Sequence, residues 1–236
     1  AQRNKIKEVN FNGCKGLQTL NIYKNRLTEI SLDGMPLLET VNISNNYLVA
    51  LDVANSSTLK TLNCQGNHLE TLKVEYCTNL KNLYCGYNKL TGLTLVGVDN
   101  LQNLNVDDNE ISQLIVSNLP ALSTFICSDN NMQSLAMRQC PVLLDLVCSY
   151  NNLTSLTVSD CPQLLFVDCS YNDLTQLTLS NQTFLQRLLC NNNQLTMLDV
   201  SFDQALTYIN CRYNMITDLR TVGDNSLSMV ACQWNY

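Results

Sequence analysis

Histidine occurs once in this chain, at His68, and charges of both signs are scarce. A lone imidazole just after Asn67 reads as a solvated loop residue. The sequence also has no Gly-x-Ser-x-Gly elbow and no glycine-rich phosphate loop, so no nucleophile–base pair or phosphate cradle can be assembled from it. The adjacent carboxylates Asp107 and Asp108 diverge along an extended chain and make no acid–base pair. Fourteen basic residues against 20 acidic ones leave a net charge of −6. Such a chain has no electrostatic footprint for a phosphate backbone and is repelled by anionic membrane surfaces. No apolar run reaches the roughly 18 residues that cross a bilayer, so direct membrane insertion is not expected. Ala1 to Lys7 is polar and basic without an apolar signal core, and the chain reads as a processed product or an excised piece. Catalysis, cofactors, metals and nucleic acid are all absent from this expectation.

What the sequence has instead is a period. Asparagine recurs every 21 residues at Asn4, Asn25, Asn46, Asn67, Asn88, Asn109, Asn130, Asn151, Asn172, Asn193, Asn214 and Asn235. Eight residues before each comes a leucine, from Leu17 through Leu122 to Leu227. The consensus is L-x-x-L-x-C-x-x-N-x-L-x-x-L-x-V plus five looser residues, and a fixed period of this length marks stacked coils. L-x-x-L-x-C alternates about its centre, which suits a short strand with one buried face. No coil buries its apolar face alone, so stacking makes the core. The asparagine lies between buried columns, and its amide offers two donors and an acceptor to backbone groups where the strand turns away. Leu69, Leu72 and Val74 repeat the spacing of Leu59, Leu62 and Cys64, so a second extended segment is expected on the opposite side of each coil. The reading is a mostly β solenoid of about eleven coils, one domain over 1–236, with little or no helix.

The twelve cysteines fall into two columns. Cys64, Cys85, Cys127, Cys148, Cys169, Cys190, Cys211 and Cys232 lie three before the asparagine, where other coils carry Ile22, Ile43 and Val106. Cys14, Cys77, Cys140 and Cys161 share a column with Met35, Val98 and Leu119. Exchange with aliphatic residues marks both columns as buried and apolar, and a free cysteine behaves as a small hydrophobe. Parallel Cβ vectors on neighbouring coils suit a disulfide poorly, although the Cα spacing would permit one. Zinc is disfavoured by the absence of Cys-x-x-Cys and of further histidines. The redox compartment stays open on this reading.

Segments such as Leu146-Val147-Cys148-Ser149-Tyr150-Asn151-Asn152-Leu153-Thr154-Ser155-Leu156-Thr157-Val158-Ser159 carry a family resemblance. They resemble leucine-rich repeats of the cysteine-ladder type found in internalin J, and are similar to repeats in surface proteins of Bacteroides-type bacteria. The resemblance covers nearly the whole chain. It implies a right-handed solenoid with its parallel sheet on the concave face. It also implies an extracellular or bacterial cell-surface protein that binds a protein or glycan on a host or neighbouring cell.

A partner is expected on the exposed strand positions, six, four and two residues before each asparagine, with the residue one before it at the edge. The four-before column is rich in asparagine but carries Tyr84, Ile126, Val147, Asp168 and Leu189. The six-before column adds Phe166 and Tyr208, and the edge column adds Tyr87, Tyr150, Tyr171 and Tyr213, with Trp234 beyond them. Phe166, Val147, Tyr150 and Tyr171 are expected to form one patch, as contiguous exposed apolar surface with aromatic anchors marks interaction sites. The competing reading is that these residues pack on one another to cover the strands, or simply reflect β propensity. Asp107, Asp108, Asp129, Asp145 and Asp168 lie on or beside the same face and read as solvated rather than as a cation site, since no coil has a calcium-loop spacing. The expected function is a monomeric, non-catalytic macromolecule-binding module of adhesin or receptor type. A structural spacer, or a secreted effector or intracellular scaffold, is the alternative.

Overall fold

The structure, a computed structural model, describes residues 4–179, 182–201, 203–221 and 226–235. The chain divides into two compact units, Ala1–Leu114 and Ile115–Tyr236. Each is a stack of coils without helix among the described residues.

In the first unit one parallel sheet holds β1 (Thr19–Asn21), β2 (Thr40–Asn42), β4 (Thr61–Asn63), β6 (Asn82–Tyr84) and β7 (Asn103–Asn105), while β3 (Ala50–Asp52) pairs with β5 (Thr71–Lys73) across the coil. In the second unit the corresponding parallel sheet holds β9 (Thr124–Ile126), β11 (Asp145–Val147), β13 (Phe166–Asp168), β14 (Arg187–Leu189), β16 (Tyr208–Asn210) and β18 (Met229–Ala231). Its other side carries β8 (Val116–Ser117), β10 (Ser134–Arg138) and β12 (Ser155–Ser159) in one short sheet, and β15 (Met197–Asp199) with β17 (Asp218–Arg220) in another. Register follows the sequence period without slip, as in Thr61↔Asn82 and Asp145↔Phe166. The second extended segment read from Leu69, Leu72 and Val74 is therefore present, although it forms sheet in only some coils.

Each strand of the two larger sheets is three residues long, because just one inward side chain is available before the chain must turn. The central residue points in: Leu62, Leu83, Phe125, Leu146, Val167 and Leu188 are all fully buried. A buried leucine of this kind contributes roughly 1.5–3 kcal/mol. The asparagine column then closes the turn. Asn67 Nδ2 donates to the Cys64 carbonyl at 2.8 Å in its own coil and to the Ile43 carbonyl at 3.2 Å in the coil before. Its Oδ1 accepts from the Leu48 amide at 3.1 Å. Asn151 repeats the pattern with the Cys148 and Cys127 carbonyls and the Met132 amide. Aspartate would lose the donors and glycine the whole side chain, which is why neither occupies the column.

From Asn25 on, the residue just before each column asparagine adopts a left-handed conformation, from Lys24 (φ 54°) and Gly66 (φ 66°) to Tyr150 (φ 52°), Tyr171 (φ 54°) and Trp234 (φ 63°). This corner swings the next side chain back into the core.

All twelve cysteines are free thiols, and ten are buried. Cys14 and Cys232 are exposed, contrary to the burial expected for both columns. The reason is stacking: β1 and β18 each have a strand neighbour on one side only, so the coils that hold these thiols are covered from one direction. Burial pushes the Cys64 thiol up to about 12 and the Cys211 thiol up to about 11, from an ordinary value of 9.0. Cys140 and Cys161 share a hydrogen bond, so the first of the pair to ionise is favoured and the second opposed.

Two outcomes follow from this core. Asn151→Ala removes its amide from three buried carbonyls and one buried amide, and should cost about 2–3 kcal/mol in urea unfolding, the range for stranded buried polar groups; a loss below 0.5 kcal/mol would contradict the ladder's role. For the thiols, a folded pKa above the unfolded one gives stability that is complete below 9.0 and lost as pH rises toward about 11–12. The urea midpoint should hold steady up to about pH 8.5 and then fall, and Cys64→Ile should make that alkaline fall shallower.

Candidate ligand-binding face

The outward positions of the sheet make four rows, which run across the strands of each unit. The start row lies six before the ladder asparagine, the end row four, the inner row two and the corner row one.

In the first unit the end row is mostly Asn21, Asn42, Asn63 and Asn105, and the structure gives these a task the sequence did not reveal. Asn42 Oδ1 accepts from the Ser44 amide at 3.2 Å, Asn63 from Gln65 at 3.2 Å and Asn105 from Asp107 at 3.0 Å. Each closes an Asx turn that leads the chain out of the strand. Thr61, Asn82 and Asn103 of the start row are joined side chain to side chain, at 3.1 Å and 2.7 Å. Tyr84 is half-buried in the end row and Tyr87 exposed in the corner row.

The second unit departs from this polar pattern. Its end row reads Ile126, Val147, Asp168, Leu189 and Asn210, all half-buried. Asp168 and Asn210 keep the turn bond, to the Ser170 and Arg212 amides. Ile126, Val147 and Leu189 have no acceptor to offer. The start row reads Asp145, Phe166, Arg187 and Tyr208 on neighbouring strands. Here the Arg187 guanidinium is sandwiched, with Cζ 5.3 Å from the Phe166 ring centre and 5.7 Å from the Tyr208 ring centre. In the corner row Tyr150 and Tyr171 stack at 4.2 Å with planes 9° apart, and Tyr213 lies parallel to Trp234 at 6.0 Å. The Tyr150 hydroxyl is held above the ordinary phenol value, first by its hydrogen bond with Tyr171 and further by nearby Asp129 and Asp168. Burial raises Asp145 above the usual carboxylate value.

Phe166, Val147, Tyr150 and Tyr171 therefore share one face of this unit, but in three rows: Phe166 packs on Arg187, Val147 lies beside Ile126, and the two tyrosines pair with each other. Asp168 interrupts the apolar end row between Val147 and Leu189. The inner row is not exposed throughout, as it was expected to be. Ser128, Ser149 and Ser170 are buried, with Ser128 and Ser149 hydroxyls 3.0 Å apart and Ser170 Oγ donating to Asp168 Oδ1 at 2.6 Å. Small hydroxyls sink there because the corner folds over them. Arg187 was not among the residues expected on this face, although it is the sole basic residue of its row. Among the described residues no three histidine, cysteine or acidic side chains gather to hold a metal ion, and no helix is long and apolar enough to cross a membrane.

A leucine-rich-repeat family model matches residues 3–48. The functional domain of InlJ from Listeria monocytogenes, a structure that includes a cysteine ladder, is similar with a TM-score of 0.80 and 30% identity, over 95% of this chain and 48% of that one. The chain has the leucine-rich-repeat fold. Its parallel-strand solenoid carries buried asparagine and cysteine columns at a 21-residue period, and a cysteine ladder is present in the InlJ structure too. The leucine-rich effector YopM from Yersinia pestis shares the fold at a TM-score of 0.70 and 22% identity, over 92% of this chain and 66% of that one. So does the leucine-rich-repeat part of FLRT2, solved in an octameric complex with latrophilin 3 and Unc5D, at 0.69 and 22%, over 87% of this chain and 70% of that one. No curated protein sequence matches the chain significantly. The chain spans about half the length of the InlJ structure it resembles.

Left-handed backbone is cheap for glycine and asparagine but costs a bulky residue roughly 1–2 kcal/mol. Ring stacking offsets much of this at Tyr150 and Tyr171. At Tyr87, whose row neighbours are Gly66 and Asp108, no ring helps. Tyr87→Asn should therefore raise stability by about 1 kcal/mol in urea unfolding; a loss of stability would show that the tyrosine is structural.

Proposed function

We propose that residues 1–236 act as a single, monomeric, non-catalytic binding domain of a bacterial surface or secreted protein, of adhesin or receptor type. The ligand is a protein or glycan presented by a host or neighbouring cell. Contact is made through the outward rows of the sheet: Ile126, Val147, Tyr150, Phe166, Asp168, Tyr171, Leu189, Tyr208 and Tyr213 in the second unit, and Tyr84 and Tyr87 in the first.

One observation carries the reading. The second unit places aromatic rings at left-handed corners and aliphatic side chains where asparagine would close a turn, both against local conformational preference. Tyr150 and Tyr171 remain 50% and 42% exposed. Residues kept at odds with local stability, and left facing solvent, are what a binding surface needs. The leucine-rich-repeat family supports a module that works by binding, and the InlJ likeness supports an exported setting.

The test is a triple substitution, Tyr150→Asn, Phe166→Ser and Tyr171→Asn, screened with the parent chain against immobilised glycans and bacterial and host ectodomains. The parent should capture a ligand and the triple variant should lose it by at least ten-fold, with a melting temperature within a few degrees of the parent. Undiminished capture by the variant would dismiss this face and favour a spacer that merely displays other domains.

A further inference from the structure

The start row of the second unit alternates charge and ring: Asp145, Phe166, Arg187, Tyr208, one on each successive strand. Its two charges are both unsatisfied. The Arg187 guanidinium has an aromatic ring over each face, at 5.3 Å and 5.7 Å, and makes no hydrogen bond or ion pair among the described residues. Ring stacking fixes the plane and leaves the N–H edge as the part that can bind, a preorganised donor for a carboxylate. The Asp145 carboxylate is half-buried beside Phe166 and has no hydrogen-bond or ion-pair partner among the described residues. Partial burial without a partner penalises its charged form, as its raised pKa reflects, and an incoming cation would relieve that cost. The two groups do not satisfy each other, because Phe166 and a full strand stand between them. Two strand spacings put them about 9.5 Å apart.

We propose that this row docks a protein segment that presents one basic and one acidic side chain on the same side, about 9.5 Å apart, the basic one meeting Asp145 and the acidic one meeting Arg187. The inference rests on the sheet face being the binding surface, and it narrows the ligand left open above to a protein. An anionic glycan would answer Arg187 but leave Asp145 repelled and desolvated; a neutral one would answer neither. A polypeptide offers both signs at adjustable spacing. Phe166 and Tyr208 supply the apolar floor between and beside the two poles.

A polyproline II helix repeats every three residues with about 3.1 Å rise per residue, so Lys and Glu three residues apart lie on one side at about 9 Å. The probes are three proline-rich peptides of this geometry, carrying Lys and Glu, Lys and Lys, or Glu and Glu at those two sites, together with an oligosaccharide of uronic acid residues. Binding to the 236-residue chain is followed by NMR titration. The Lys–Glu peptide should bind best, and Asp145→Asn or Arg187→Gln should each weaken it by about three-fold, the scale of an exposed ion pair. Asp145→Lys, which makes both poles positive, should switch the preference to the Glu–Glu peptide. No binding of the Lys–Glu peptide, no preference for it, or capture of the oligosaccharide through Arg187 with Asp145 indifferent would each overturn the proposal. A peptide bound without charge preference, yet lost on Tyr150→Asn with Tyr171→Asn, would sink the charged row alone and leave the sheet face as the binding surface.

Discussion

The amide of one asparagine per coil is the constraint on which the rest of the molecule depends. It donates to carbonyls in its own coil and the previous one, and accepts from an amide in the turn of the previous coil, as at Asn172 with the Cys169 and Cys148 carbonyls and the Leu153 amide. A chain that turns every few residues leaves backbone groups buried without sheet partners, and each would be costly in an apolar interior. One side chain that serves several of them at once makes a narrow coil with three-residue strands possible. It also fixes the register between coils, because each amide must meet the carbonyls of the coil before.

Once that register is imposed, the core needs only apolar side chains of fitting size. Leucine fills the wide positions, while cysteine, isoleucine and valine share the tight one. Most of the cysteines are packing residues, and buried thiols such as Cys64 resist ionisation. Left-handed corners are a second consequence of the same constraint, since the chain must reverse sharply to send the asparagine inward. In the first unit many of those corners and turns are furnished with residues that suit them, such as Asn45, Gly66 and the Asx-turn asparagines, with Tyr87 an exception. In the second unit several are furnished with rings and aliphatic chains that do not.

A parallel sheet is ordinarily covered on both faces. Here one face is packed and the other is outward, so its rows are free to vary without disturbing the ladder. That freedom separates structure from function cleanly. Substitutions in the outward rows change what the surface offers, while the inward columns stay fixed. The net negative charge of the chain is not matched by a uniformly acidic face. Arg187 sits clamped between Phe166 and Tyr208, two strands from Asp145, so the surface is locally dipolar.

The repeat length, the strand and its buried centre, the asparagine column and the near absence of helix were all determined by the sequence alone. Each coil meets nearly the same environment as the next, so one environment is sampled many times and its requirements become visible as columns. The outward rows have no such redundancy. That Ser149 is buried, that Cys14 and Cys232 are not, and that Arg187 finds rings on both of its faces were decided only when strands 21 residues apart came side by side. Those outcomes depend on what the adjoining coil contributes at that one place, and a column read down the sequence averages this away.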